Sequence, residues 1–447
     1  MSDHETSLPK MAHCRTTQGK LTSRRHALRQ IGAVATSAWA LAHGLAAGTA
    51  LAASTPMPPG SAKFTRARAY TPPPIKRKPA DLVADRLVLP FSREFARGKH
   101  GSRVPSGPPG AWPGAETFSG GEEAALINNP AGEWMFGGPP DSMLLWAEGH
   151  GGLPNHWLNP ATGRLWSIFD TPGVNAYWRA PTFDPQSDSP IKLDTAHYPS
   201  LCYVPYLATG DRYYLEELQF AANYHALAIN PVYRQDKTTK AELGIFHLHQ
   251  MRGWAWHLRD TVAAYLATPE GDLPPPLLPK SYWKRMLDNN REWILENWIR
   301  KEHARSALHM FPIGGSKANL APWQHDWVGA VLGWMVWSGR FDDWRPIYEW
   351  QIQQALDRTS GKSGYPRSRA IFYWYKADGP TDMAGLAAQN KLTETADGKF
   401  PPRSNMHYGM SLRANLKIAV LNGVAGAKDC LAYVDPQITE IQPKWAV

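Results

Sequence analysis

Four short groups of residues have the types and spacing that proton transfer and anion binding require. The first is Asp194, His197 and Tyr198, followed by Tyr203 and Tyr206. A carboxylate this close to a histidine can hold its tautomer, and a phenol can deliver a proton. The second runs from His247 to Trp256. On a helix His249, Arg252 and Trp256 share one face, while His247, Gln250 and Trp254 share another. A guanidinium beside an indole suits a flat ligand bearing a carboxylate. The third is Trp323, Gln324, His325, Asp326 and Trp327 directly after Pro322, a group placed at a helix N-terminus where the dipole favours an anion. The fourth is Arg403, His407 and Tyr408.

Each group also has a plainer reading. Asp194 and Asp326 can be helix-start carboxylates, His197 and His325 can fill polar joints, and Arg403, His407 and Tyr408 can be surface loop residues. His247 and His249 point about 200° apart on a helix, so they make a poor metal pair. No metal or other cofactor is expected. The dinucleotide, phosphate-loop, serine-hydrolase, HExxH and haem-attachment motifs are all missing.

The elements that must carry these groups are helical. From about Thr195 onward, segments 197–207, 211–229, 245–268, 281–302, 322–338, 341–357 and 407–421 hold apolar residues at three- and four-residue spacing. The joints at Gly210-Asp211, Gly339–Asp342 and Gly423–Ala427 are short, which forces antiparallel helical hairpins. Such hairpins, repeated without a strict period, predict a mainly α fold: an (α/α) toroid, an incomplete ring of helical hairpins. Residues 54–125 predict an extended Pro/Gly-rich arm, and residues 126–190 short irregular strands or loops. Residues 126–447 form the toroid domain. Its segment 359–404 is too long for a connector and reads as a lid carrying Tyr365, Arg367, Arg369, Tyr373, Trp374 and Tyr375.

Composition narrows the classes. The 447 residues include 20 Trp, 17 Tyr and 13 Phe, a surplus of rings suited to a stacking cleft. Arg24-Arg25 precede a weakly apolar stretch that ends in Ala50-Leu51-Ala52, the form of a twin-arginine signal peptide over residues 1–53. Its removal leaves 42 basic against 37 acidic residues, a balance of +5. That excludes a nucleic-acid footprint. The expected location is the periplasm or beyond, reached through the twin-arginine machinery, with no membrane anchor after cleavage. Cys202 and Cys430 then remain, as one disulfide or as two buried thiols.

The stretch from Asp194 to Glu217, with Gln250–Trp256 and Trp323–Trp327, resembles a segment of poorly characterised exported bacterial proteins. Their helical-toroid core is similar to those of polysaccharide lyases and (α/α) glycoside hydrolases. The resemblance covers roughly residues 190–430. It implies the toroid, and with the residues above it leads to a lyase acting on an acidic glycan. Arg252 and Gln250 would neutralise a uronate, His325 or His197 would be the base, and Tyr198 or Tyr203 the acid. His249, Trp256, Trp323, Tyr373, Trp374, Arg367, His407 and Tyr408 would bind the chain of sugars. Two other readings remain open: a glycoside hydrolase using Asp194 and Asp326, and a carbohydrate-binding or envelope-assembly protein without chemistry.

Overall fold

The computed structural model describes residues 71–90, 126–153, 155–174, 195–198, 200–229, 251–300, 308–311, 319–377, 379, 382–401 and 406–438. The fold is mainly helical. The apolar periodicity past residue 203 is realised in α-helices whose boundaries follow local chemistry, and the helix expected from residue 197 begins only at Tyr203, after a 3₁₀ turn over Thr195–His197. Helix α4 (Tyr203–Thr209) stops at Gly210, which takes the left-handed φ of 67° and donates its N–H to Tyr206 O. The next residue, Asp211, caps α5 (Arg212–Leu227) by accepting from the Tyr213 N–H at 2.9 Å.

Residues 126–149 correct the expectation of short irregular strands or loops: they contain α2 (Asn129–Met135) and α3 (Asp141–Gly149). Residues 155–174 keep it, as turns with a bridge between Leu158 and Leu165. The prolines that look like breakers are starters here. Pro130 sits in the first turn of α2 behind an Asn128 cap that accepts from Ala131 N at 2.9 Å, and Pro140 immediately precedes α3. Upstream, α1 (Pro79–Ala84) buries Leu82 against the body, so this part of the proposed arm holds a helical turn.

Three consecutive hairpins form the main body. Helix α6 (Met251–Ala267) pairs with α7 (Lys280–Ile294), α8 (Pro322–Trp337) with α9 (Arg345–Thr359), and α11 (Met406–Leu421) with α12 (Ala427–Val434). The first members α6, α8 and α11 lie side by side. They run parallel: Trp323 of α8 stacks on Tyr408 of α11 at one end, and Asn422, just past α11, donates to Gly333 O toward the other. Arg252 N likewise bonds Gln324 Oε1, so Arg252 of α6 lies level with the first turn of α8. Arg252, Trp323 and Tyr408 therefore come together at one end of the row.

Close approach of these helices depends on glycine. A Cβ on Gly333 would overlap Ile418 Cγ2 and come within 3.0 Å of Tyr348 Cε2. Both neighbours are fully buried, and Ile418 is β-branched and stiff. Gly333→Ala should therefore lose about 1–2 kcal/mol of stability in urea melts, because overpacking outweighs alanine's better helix propensity. A stabilised variant would show that the α8–α11 seam has slack.

The long segment after α9 is not a bare loop. It holds a 3₁₀ turn (Arg367–Arg369), strand β2 (Tyr375–Lys376) and α10 (Met383–Gln389). Strand β2 pairs antiparallel with β1 (Asn319–Leu320), with Leu320 opposite Tyr375. Leu308, Met310, Leu320, Tyr365, Tyr375, Ala377, Met383, Leu386 and Ala387 give this insertion a small core of its own. Cys202 and Cys430 are separate buried thiols. Among the described residues, no helix is long and apolar enough to cross a membrane.

Candidate functional site

At the Pro322 end of α8, helices α6, α8 and α11 each contribute a side chain to one surface: Arg252, Trp323 and Tyr408. The insertion adds Tyr373. The Trp323 and Tyr408 rings stack with centroids 4.4 Å apart, and Tyr373 stacks on both, at 5.9 Å and 5.3 Å. A hydrogen bond of 3.1 Å from Trp323 Nε1 to Tyr373 O fixes the insertion onto α8. The half-buried Arg252 guanidinium lies 5.6 Å from the Trp323 ring and 5.8 Å from Trp327. Trp374 meets Tyr373 edge-on at 5.5 Å. Tyr373 and Trp374 are 41% and 37% exposed, so the platform keeps open aromatic faces.

Electrostatics at this surface favour an anion. The α8 N-terminus places the positive end of its dipole there, and Arg252 adds a full charge beside rings that shield it from water. The Tyr408 phenol is pushed up by burial and by the neighbouring Tyr373 phenol, to which it is hydrogen-bonded, and is only partly relieved by Arg252. It therefore holds its proton at neutral pH.

The remaining expected site residues are scattered. Asp194, His249, Gln250 and Arg403 lie outside the described residues, as do the side chains of His197 and His407. Tyr203 is buried, and its hydroxyl donates to Leu87 O at 3.2 Å while its ring packs on Trp334. This is a core tyrosine, held far from exchangeable protons by its burial. Trp256 is fully buried between Arg259 and Trp327, and its Nε1 donates to Ala196 O at 3.1 Å. It pins the 195–197 turn to α6 and has no face left for a ligand. Arg367 is exposed but lies over the Tyr433 ring at 4.1 Å, not beside Arg252.

His325 and Asp326 point into the seam between α8 and α9. His325 is fully buried, with both ring nitrogens lacking hydrogen-bond partners, against Phe311. Asp326 Oδ1 accepts from Arg358 Nη2 at 2.5 Å and from Gln354 Nε2 at 3.1 Å. That carboxylate is committed to a buried ion pair, which leaves a hydrolase pair with Asp194 without a free acid on this side.

A second polar centre had no sequence motif to announce it. His150, at the end of α3, and His156 both reach Glu217 Oε2 of α5 at 2.7 Å, through Nδ1 and Nε2 respectively. Tyr198 Oη lies 3.0 Å from His150 Nε2 and accepts from Asn155 Nδ2 at 2.5 Å. Burial alone would raise the Glu217 carboxyl, but the two histidines outweigh it and hold the group ionised. Burial pushes the Tyr198 phenol well up, helped by the Asp260 carboxylate. The network continues through Arg259, which donates to Tyr198 O and pairs with Asp260, and on to His225. The only early sign was Tyr198 itself, since its partners are dispersed between residues 150 and 217.

No known protein family, curated protein or solved structure matches the chain.

Proposed function

We propose that this chain is an exported carbohydrate-active enzyme, a polysaccharide lyase that cleaves an acidic glycan by β-elimination on an (α/α) toroid core. The carrying observation is the stacked Trp323–Tyr373–Tyr408 platform with Arg252 at its side. Sugar rings stack on aromatic faces, and a uronate carboxylate pairs with a guanidinium. β-Elimination needs that carboxylate neutralised so that the C5 proton can leave. It then needs an acid for the departing oxygen. Arg252 takes the first role and Tyr408 the second. His197, on the turn packed against α6 near Gly253, is the proposed base. The row of parallel first helices α6, α8 and α11 supports the toroid, because such rings are built from hairpins whose inner helices run side by side in one direction. Export through the twin-arginine machinery to the periplasm or beyond belongs to the same reading, on the strength of the leader sequence.

The test is a panel of acidic and neutral polysaccharides, read both by ultraviolet absorbance of unsaturated sugar products and by reducing ends. Absorbance that grows only with acidic substrates supports the lyase. Reducing ends without absorbance would replace it with a hydrolase, and binding without turnover with a non-catalytic carbohydrate-binding protein. Tyr373→Ala should weaken glycan binding about tenfold, roughly 1.4 kcal/mol, with little change in melting temperature, because its ring is exposed. Arg252→Gln should lower kcat/KM by about 10²–10³. Unchanged glycan affinity in both variants would move the binding surface elsewhere.

A further inference from the structure

We infer that His150, His156 and Glu217 form a binding site for one divalent transition-metal ion of the zinc class. The inference stands independently of the glycan reading. Two imidazole nitrogens and a carboxylate oxygen lie within 4.8 Å of one another, on residues brought together from α3, the loop after it and α5. All three side chains are at most 1% exposed. Two imidazoles and one carboxylate are a donor set that zinc takes with a fourth position left open. Softer or harder ions are served less well: there is no thiolate among these three donors, and a calcium site wants six or more oxygens.

The surroundings of His150 match what a metal requires of its second layer. A histidine that ligates through one nitrogen donates its other N–H to a fixed acceptor, which sets its tautomer. His150 would bind through Nδ1, and its Nε2 already faces Tyr198 Oη at 3.0 Å. Tyr198 is itself fixed by Asn155 Nδ2, by the ring of Tyr224 stacked at 5.2 Å, and by Arg259 at its carbonyl. Asn155 is 2% exposed, and its Oδ1 has no hydrogen-bond partner. A buried amide oxygen in that state needs a donor, and a water on the open metal position is one. A carboxylate as fully buried as that of Glu217 is costly unless cations or donors surround it. A site so enclosed takes up its ion while the chain folds, so metal affinity and folding stability are coupled.

The test uses the full chain. It is refolded with zinc or with EDTA, dialysed, and assayed for bound zinc. In parallel the EDTA form is refolded with cobalt(II), and its visible d–d absorption is recorded. The expected result is one retained ion per chain and the intense bands of four- or five-coordinate cobalt. The melting temperature should be several degrees higher in zinc than in EDTA. His156→Gln and Glu217→Gln should each weaken retention at least about tenfold. Wild-type protein that keeps no zinc, shows only the weak bands of hydrated cobalt and melts equally in zinc and EDTA would overturn the site. So would a folded His156→Gln variant with the wild-type cobalt spectrum. Should the variants fail to fold, the wild-type cobalt spectrum decides by the same criterion.

Discussion

Arg358→Met is expected to destabilise the protein by about 3–5 kcal/mol, the usual cost of leaving one partner of a buried ion pair alone. The Arg358 guanidinium and the Asp326 carboxylate are each about 1% exposed and meet at 2.5 Å. Burial alone would pull the guanidinium down, but the Asp326 carboxylate keeps it charged. Without it, Asp326 keeps a weak contact from Asn415 at 3.4 Å and the Gln354 amide. Arg358 Nη1 also donates to Ala370 O, which ties α9 to the insertion that carries Tyr373. The substitution should therefore lower glycan affinity as well as stability, although Arg358 lies in the core. Adding Asp326→Leu should recover a large part of the stability, since an apolar pair fills the seam without a stranded charge. Denaturant melts of the two variants settle the point. A single mutant within 1 kcal/mol of wild type would mean that the pair is not buried in solution.

The second large effect is acid sensitivity through His325. Burial, aided by the Arg358 charge, pushes its pKa from 6.5 down to about 3. The folded-state value lies below the unfolded one, so between these two pH values the unfolded chain binds a proton that the folded chain refuses. The stability is complete above pH 6.5 and is lost progressively as the pH falls toward 3. The full span corresponds to on the order of 5 kcal/mol, and about 3 kcal/mol of it is gone by pH 4.5. The lowered carboxyls of Glu217 and Asp260 act in the same direction at still lower pH. Urea melts at pH 7.5 and 4.5 should therefore show a steep loss for the wild type and a shallower one for His325→Leu. Equal losses would mean that His325 reaches water or a partner when folded. The same low value removes His325 from the role of base: a group so reluctant to take a proton is a poor abstractor at neutral pH.

Local signals carried most of the helical architecture. Gly210 followed by Asp211, and Pro322 before Trp323, are stop and start chemistry that acts within one turn, and the helices begin and end where these residues stand. The same local logic misled at Pro130 and Pro140, because a proline can break a helix or open one and only the packing on either side decides. Segment 359–404 was legible as too long to be idle. Its strand was not, because β2 has a partner only in Asn319–Leu320, more than fifty residues earlier.

For the candidate sites the division is sharper. Residue type marked Arg252, Trp323, Tyr373 and Tyr408 as able to stack and to bind an acid, since an indole, a phenol and a guanidinium have those capacities wherever they stand. Their meeting depends on three parallel helices packed in one register, a relation among segments spread over 150 residues. Type alone also admitted Tyr203, Trp256 and Asp326, and tertiary packing spent all three on Leu87 O, Ala196 O and Arg358. His150, His156 and Glu217 passed unnoticed for the converse reason. A histidine six residues from another, and a glutamate on a distant helix, carry no local pattern. Two turns of chain and one helix crossing place their donor atoms within 4.8 Å. Side-chain chemistry is a property of each residue, whereas convergence is a property of the packed chain, and it is set by contacts that no short window of sequence contains.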